Sequence, residues 1–440
     1  MQRINLKRLF VMVLAMVMLF SVAVFSLERY DAAHYDDVEM VFVEDWLDDP
    51  VFSDYLMCQL RAEFGEQFLI NHDIANEVAD RVYDTFPVSR SGEIAYPDSF
   101  GGLYIDSDGN LVLLTVGDYQ FDRSQAFGFC AEITSTDNIS VRAVEFSYSE
   151  LLYVFQAITA FAEEKWDDKS CVIMYGFVSV GIDTIGNRVD VALLDTSQFL
   201  LDLFRAEIAD HPALTFTLAK ERAGFDDEYV QDSYRTSEEL IQPFSIVANP
   251  GSTIRRGAVG PRRSLGYRAW LGATAGFVTA AHNTLFNEPF YSSGRKIGYI
   301  SVRHNASDSA FVRLEPGMSV SDRNPSFRYA VSPVAQTNPR VGHVVTRISS
   351  GGRDSGNPNH PIVSTGIILR AEHVENFSGH GNVNVIRADY VAVGGDSGGV
   401  IVTPASGIQI IAGIHVGRIG GNSYFSPVSR INTALGVTLH

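Results

Sequence analysis

Apolar residues in the first half of the chain recur at two different periods. Between Tyr55 and Phe86 they fall at Leu56, Leu60, Phe64 and Phe68, then at Ile74, Val78 and Val82. That three-to-four spacing predicts helix with one buried face. The pattern then shortens to strand-like runs. Residues 102–105 and 111–116 flank Asp106-Ser107-Asp108-Gly109-Asn110, whose residue types suit a hairpin turn. The device returns at 172–182 and 188–194, around Asp183-Thr184-Ile185-Gly186-Asn187, between helical stretches at 148–166 and 196–210. A repeated helix-and-hairpin unit predicts an α+β domain of two similar lobes. The loop at 106–110 has no glycine at the sixth position and no terminal glutamate of a calcium loop, so it reads as a turn.

Beyond residue 245 the texture changes. Short β-rich runs at 276–279, 296–302, 310–314, 341–348, 362–368, 383–386, 400–403 and 408–414 alternate with Gly, Asn and Ser clusters. Of the 37 glycines, 26 lie in residues 246–440, and such spacing predicts an all-β sandwich or barrel. The boundary falls in residues 242–260, a linker with Pro243, Pro250, Gly251, Arg255 and Arg256. At the other end, Arg3, Lys7 and Arg8 precede an uncharged apolar run over residues 9–27. With small residues at Ser21 and Ala23, this suits a cleaved secretory signal. Its length also suits a retained anchor across a bilayer of ~30 Å. Either way the remainder sits outside the cytoplasm. Residues 28–49 are densely acidic and read as a solvated leader. The chain thus divides into 1–26, a signal or anchor; 27–245, an acidic α+β domain; and 246–440, a β domain.

Composition sharpens the division. A chain of 440 residues, 46% hydrophobic, is long enough for more than one domain and is not mostly disordered. The net charge of −18 argues against nucleic acid as a partner, but it averages two unlike halves. Residues 246–440 hold 9 acidic and 18 basic side chains, net +9, whereas residues 1–245 hold 43 and 16, net −27. Cys58, Cys130 and Cys171 all lie in the acidic half, so the β half has no disulfide and rests on packing. No Cys or His cluster has metal-ligand spacing, and nothing implies a cofactor.

Three short strings in the β half carry chemistry. Thr279-Ala280-Ala281-His282 ends one apolar run, Asp308-Ser309-Ala310-Phe311-Val312 opens another, and Gly394-Gly395-Asp396-Ser397-Gly398-Gly399 precedes a third. A serine hydroxyl becomes nucleophilic when a base accepts its proton, and a histidine serves when a carboxylate fixes its tautomer. Flanking glycines let successive N–H groups point at one spot, an oxyanion hole, with Gly395 and Ser397 as donors.

These strings, in this order, resemble the chymotrypsin-fold serine proteases, and more narrowly the bacterial streptogrisin and alpha-lytic protease group. The short interval from His282 to Asp308, the entry Ser264-Leu265-Gly266-Tyr267 and the C-terminal Tyr424-Phe425-Ser426-Pro427-Val428 suit that group. The likeness covers roughly 255–440. It extends to Phe100-Gly101-Gly102-Leu103-Tyr104-Ile105 and Asn187-Arg188-Val189, which resemble strands of the group's folding-assistant prodomains. The resemblance implies a double β-barrel protease preceded by an α+β prodomain. It implies a zymogen whose own prodomain is inhibitor and folding aid, with no cofactor. It implies Ser397 as nucleophile, His282 as general base and acid, and Asp308 as orienting carboxylate. Asp322 and Asp354 are rival carboxylates without the Ala-Phe-Val context. Asp396 resembles the residue that shapes the oxyanion loop, paired in bacterial relatives with an internal arginine that the sequence does not single out. Asn283 is a departure, since many relatives carry a disulfide cysteine there.

Substrate preference stays open between two readings. Val391 occupies the pocket position where trypsin-like enzymes hold an Asp for basic residues, so a basic preference is excluded. Gly413-Ile414-His415 resembles the staphylococcal glutamyl endopeptidases, and His415 with Arg418 nearby would stabilise a Glu or Asp. The net +9 of this half points the same way. Against this, Ala392 stands where glutamyl relatives often place a hydroxyl, and His415 could be a core histidine beside an apolar pocket. With an acidic preference, Glu238 or Glu239 offers a self-cleavage site; otherwise Arg255-Arg256 is a dibasic site for another protease. A different class also stays open, an inactive homologue that binds or senses at the membrane.

Overall fold

The computed structural model describes residues 58, 60–89, 94–117, 138–225, 247–257, 260–292, 294–321, 323–324, 329–336, 340–350, 363–405 and 408–439. The apolar run at 9–27, the acidic run at 28–49, Cys130, Glu238, Glu239, Asp322 and Asp354 lie outside them. Among the described residues, no helix is long and apolar enough to cross a membrane.

Helix α1 (Glu66–Asp84) buries Ala75, Val78, Ala79 and Val82. These pack on the hairpin of β1 (Phe100–Ile105) and β2 (Leu111–Val116), to which β3 (Ile139–Val144) adds in parallel. The turn between β1 and β2 is built by Asp106, whose Oδ1 accepts from the N–H of Asp108 at 3.0 Å and of Asn110 at 2.8 Å.

The second lobe opens with α2 (Tyr148–Lys165), started by a reciprocal capping box between Ser147 and Glu150. The strand expected over 172–182 is divided into a short helix, α3 (Val172–Gly176), and β4 (Phe177–Asp183). A brief apolar run suits either state, and here Ile173 and Met174 turn into the core shared with Leu200 and Phe204. Then follow β5 (Arg188–Leu193), α4 (Gln198–Glu207), β6 (Leu214–Leu218) and β7 (Gly224–Phe225). Strands β4 and β5 are antiparallel and β6 joins β5 in parallel, the arrangement of the first lobe repeated.

The β half begins with β8 (Val247–Ala248), β9 (Thr253–Arg256), β10 (Arg262–Ser264), β11 (Arg268–Leu271), β12 (Thr274–Ala280), β13 (Pro289–Ser292), β14 (Arg295–His304), β15 (Ser309–Leu314) and β16 (Ser319–Val320). Seven of them form an antiparallel sheet, β10-β9-β13-β14-β15-β12-β11, curled around Leu265, Phe277, Phe290, Ile300 and Val312. Arg255 and Arg256 lie inside this sheet, paired with β10 and β13, and Arg256 is ion-paired with Glu288 at 3.0 Å. Proteases cut accessible, extended loops, so the dibasic pair is poorly presented as a processing site.

The second barrel comprises β17 (Arg323–Asn324), β18 (Tyr329–Gln336), β19 (Val344–Ile348), β20 (Val363–Phe377), β21 (Gly381–Ala388), β22 (Val400–Ala405), β23 (Ile408–Ile419) and β24 (Asn422–Pro427). Six strands close on themselves: β23 pairs β22, then β19, β20, β21 and β24, and β24 returns to β23. Helix α5 (Val428–Leu435) follows, and its Ile431 and Leu435 pack with Tyr267, Val278, Val400 and Ile414 between the barrels. The architecture is a chymotrypsin-like double β-barrel preceded by a region of helices and strands.

The acidic half is joined to the second barrel by backbone. Strand β4 lies antiparallel on β20, with Gly181 opposite His373, Val180 opposite Val374 and Ser179 opposite Glu375. A Cβ at Gly181 would stand 2.5 Å from His373 Nδ1, so glycine permits this approach. The first lobe grips the start of β19 and the residues before it: Ile105 N–H donates to Val341 O at 3.0 Å, and Val344 N–H donates to His72 Nε2 at 3.1 Å. Two ion pairs, Asp80 with Arg340 and Asp190 with Arg370, cross the same seam.

Candidate active site

Strands β12 and β15 are neighbours in register, Ala280 opposite Ser309, and this brings together two residues 26 apart. His282 follows the end of β12, and Asp308 immediately precedes β15. The N–H of His282 donates to Asp308 Oδ1 at 2.6 Å, and its Nδ1 lies 2.5 Å from Asp308 Oδ2. Its Nε2 lies 3.0 Å from Ser397 Oγ. All three residues are fully buried. A carboxylate only accepts, so Asp308 fixes the proton on Nδ1 and leaves Nε2 as the acceptor facing the hydroxyl. Asn283 has φ 54°, a left-handed conformation in which asparagine is several-fold enriched, which accounts physically for this residue beside His282.

Ser397 sits in the glycine-rich turn before β22. Gly398 has φ 84°, and a Cβ there would stand 2.2 Å from Thr279 Oγ1 and 2.6 Å from Ser264 O. Gly395 has φ 90°, and its carbonyl accepts from Ser264 Oγ at 2.9 Å. Ser264 N–H also donates to Ser397 O at 2.9 Å, so one residue of the first barrel pins the turn twice. Asp396 is fully buried against Arg347 of β19 and the Ser349 hydroxyl, and its Oδ2 accepts from Val393 N–H at 2.7 Å. Arg347 is thus the internal arginine that the sequence left unnamed.

The expected pocket residues separate. His415 and Ala392 are buried, whereas Val391 is 57% exposed and Arg418 is exposed farther along β23. His415 does not stand alone: Tyr390 Oη lies 2.8 Å from its Nδ1, with both rings buried. Tyr390 is itself held by Ser423 Oγ, which donates to its carbonyl at 2.7 Å.

One more residue lies at the centre. Phe225 of β7 stacks on the His282 imidazole, with ring centroids 3.9 Å apart and planes 11° from parallel. Sequence reasoning missed Phe225, Tyr390 and Arg347. Phe225 stands just before the acidic triplet Asp226-Asp227-Glu228, a short signal in a segment read only for its overall charge.

Two family descriptions match the acidic half: a Pro-like N-terminal domain over residues 64–144 and a Pro-like C-terminal domain over residues 149–218. No curated protein matches the chain. Solved structures similar to it include Thermobifida fusca protease A, at 22% identity over 44% of this chain and 98% of that one, with a TM-score of 0.36. Cellulomonas bogoriensis chymotrypsin is similar at 25% identity over 44% of this chain and 99% of that one, with a TM-score of 0.37. A glutamic acid-specific serine protease that uses a histidine triad in substrate binding is similar at 27% identity, over 44% of this chain and all of that one, with a TM-score of 0.36. The chain joins a Pro-like region to a double barrel with the fold of serine proteases.

Proposed function

We propose that the protein is a serine endopeptidase made as a zymogen and acting outside the cytoplasm, with residues 27–245 as its prodomain and 246–440 as the protease. The observation that carries this reading is the buried hydrogen-bonded chain Asp308–His282–Ser397. Ser397 Oγ attacks the substrate carbonyl as His282 Nε2 takes its proton. Asp308 holds the imidazole and stabilises the cation that forms. The N–H groups of Gly395 and Ser397 receive the developing oxyanion, and His282 then returns the proton to the leaving amine. Water repeats the sequence on the acyl-enzyme.

The acidic half acts as an intramolecular inhibitor and folding aid. Its support is the continuous sheet from β4 to β20 and the ring of Phe225 over His282. Opposite net charges favour the encounter of the two halves.

The substrate residue before the scissile bond is acidic. His415, held through Nδ1 by Tyr390, is the pocket group that meets a substrate carboxylate, in a half of net charge +9. A serine-directed phosphonylating probe should label processed wild-type enzyme and leave Ser397→Ala unlabelled. An unlabelled wild type whose processing is unchanged by Ser397→Ala would favour a binding module. Peptide-library profiling of wild type and His415→Ala tests the pocket, and wild-type cleavage after Phe or Leu would overturn the acidic preference.

A further inference from the structure

We infer that the second barrel sets the orienting carboxylate by gripping the turn that carries it, and that His380 and Ser426 are positioning residues for Asp308. The inference rests on the serine-protease reading and adds to it residues outside the chain Asp308–His282–Ser397.

The turn itself does not settle where the carboxylate goes. Strands β14 and β15 pair to their ends, His304 opposite Ser309, so residues 305–308 form a four-residue turn. Asp308 ends it with φ 40°, a left-handed conformation that a non-glycine residue keeps where its surroundings impose it. Within the turn, Asp308 N–H donates to Asn305 O at 2.9 Å. That bond closes the turn but does not fix its place against His282.

The second barrel supplies the outside hold. It reaches three successive carbonyls of the turn, each from a different place. His380, between β20 and β21, sets Nε2 3.2 Å from Asn305 O. Asn384 N–H of β21 donates to Ala306 O at 2.8 Å. Ser426 Oγ of β24 donates to Ser307 O at 2.6 Å. A carbonyl only accepts, so Nε2 of His380 carries the proton. The same N–H lies 3.8 Å from Asp308 Oδ1, which accepts from His282 N–H. His380 therefore brings a donor dipole toward the carboxylate as well as a grip on its turn. The holders are fixed in their own right. His380 N–H donates to Phe377 O at 3.1 Å, and its side chain is 9% exposed. Ser426 is fully buried, opposite Ile414 of β23.

Asp308 orients His282 through two contacts, one to its main chain and one to Nδ1. Misplacing a catalytic group by about 1 Å costs about 100-fold in rate. The turn belongs to the first barrel and its holders to the second, so the fit between barrels sets the geometry of the triad.

The test uses full chain that has processed itself, with kcat and KM read on peptides carrying Glu, Asp, Phe or Leu before the scissile bond. Ser426→Ala and His380→Ala should each lower kcat about 10-fold, and together about 100-fold, with KM within about twofold of wild type. Ser426→Thr and His380→Gln keep a donor and should retain at least about half of the wild-type kcat. A second readout needs no turnover. In full chain carrying Ser397→Ala, the proton between Asp308 and His282 Nδ1 should give a low-field NMR signal. The signal should move upfield and broaden when both Ala changes are added, and stay in place with the Thr and Gln changes. If Ser426→Ala does not fold, His380→Ala against His380→Gln decides by the same readouts. Wild-type kcat with an unmoved signal in the double variant overturns the positioning role and leaves the protease reading intact. Equal losses in the Ala variants and their conservative counterparts overturn it too, because packing and not the donor is then what matters. A wild type that neither cleaves any peptide nor reacts with the phosphonylating probe overturns both.

Discussion

The two barrels differ in what completes them. The first is a curled seven-stranded sheet whose neighbours all come from residues 253–314. The second closes on itself through six strands and is then extended by β4, β5 and β6 of the acidic half. The first barrel and the turn it pins bring His282, Asp308 and Ser397 together, whereas the second supplies buried His415 on β23 and the β20 edge on which β4 lies. The sheet of the second barrel thus continues into strands of the acidic half, and contacts so distant in sequence are slow to form.

Ways to break this contrast run from large to small. Expressing residues 246–440 without the acidic half should reduce the yield of active enzyme on refolding to near zero, and residues 58–225 added in trans should restore it. Recovery of activity after dilution from denaturant measures both. Next is Arg347→Leu inside the second barrel, which leaves Asp396 buried without its cation. Loss of one partner of a buried pair costs about 3–5 kcal/mol, and the turn carrying Gly395 should loosen with it. Urea unfolding and kcat of the variant read the two effects separately.

The third acts through pH at the seam. Burial pushes the Glu375 carboxyl group up to about 8, and burial holds His373, 2.9 Å away, well below the ordinary histidine range. The folded pair is therefore neutral, with the protonated Glu375 donating to His373. The contribution of Glu375 is full below the ordinary carboxyl range and is lost as pH rises through about 8. That of His373 is present above its ordinary value and is lost on acidification. Between about pH 6.5 and 8 only the Glu375 slope remains, at most about 1.4 kcal/mol per pH unit for one proton. Stability of the full chain should fall across that window, and Glu375→Gln should flatten the profile of the unfolding midpoint. The smallest effect is that of Asp190→Asn, which removes a half-open ion pair with Arg370 and should weaken docking of the acidic half by about 1 kcal/mol or less.

The strings around His282, Asp308 and Ser397 were legible in the sequence because each is local and rich in residue types that a packed core rarely tolerates without a reason. The two-lobed acidic region was legible through its repeated turn chemistry. What escaped reading was non-local. Strands β9, β10, β11, β13 and β24 are short or polar, and their existence depends on partners far along the chain. Tyr390 and Arg347 look like ordinary core and surface residues until folding sets them against His415 and Asp396. The short helix α3 shows the same limit in reverse, since its apolar run fits strand or helix and packing decided.

If the acidic half is removed, as proposed, the pairing of β4 with β20 leaves a mark on what remains. Strand β20 is 15 residues long, and along His373–Glu375 it meets β21 on one side and β4 on the other. Without the acidic half, that second side would be a bare row of peptide donors and acceptors, a template onto which any extended chain can zip. On the proposed reading, removal of the acidic half would exchange a covered seam for an adhesive margin, and the full chain would be the form protected from sticking to its own kind.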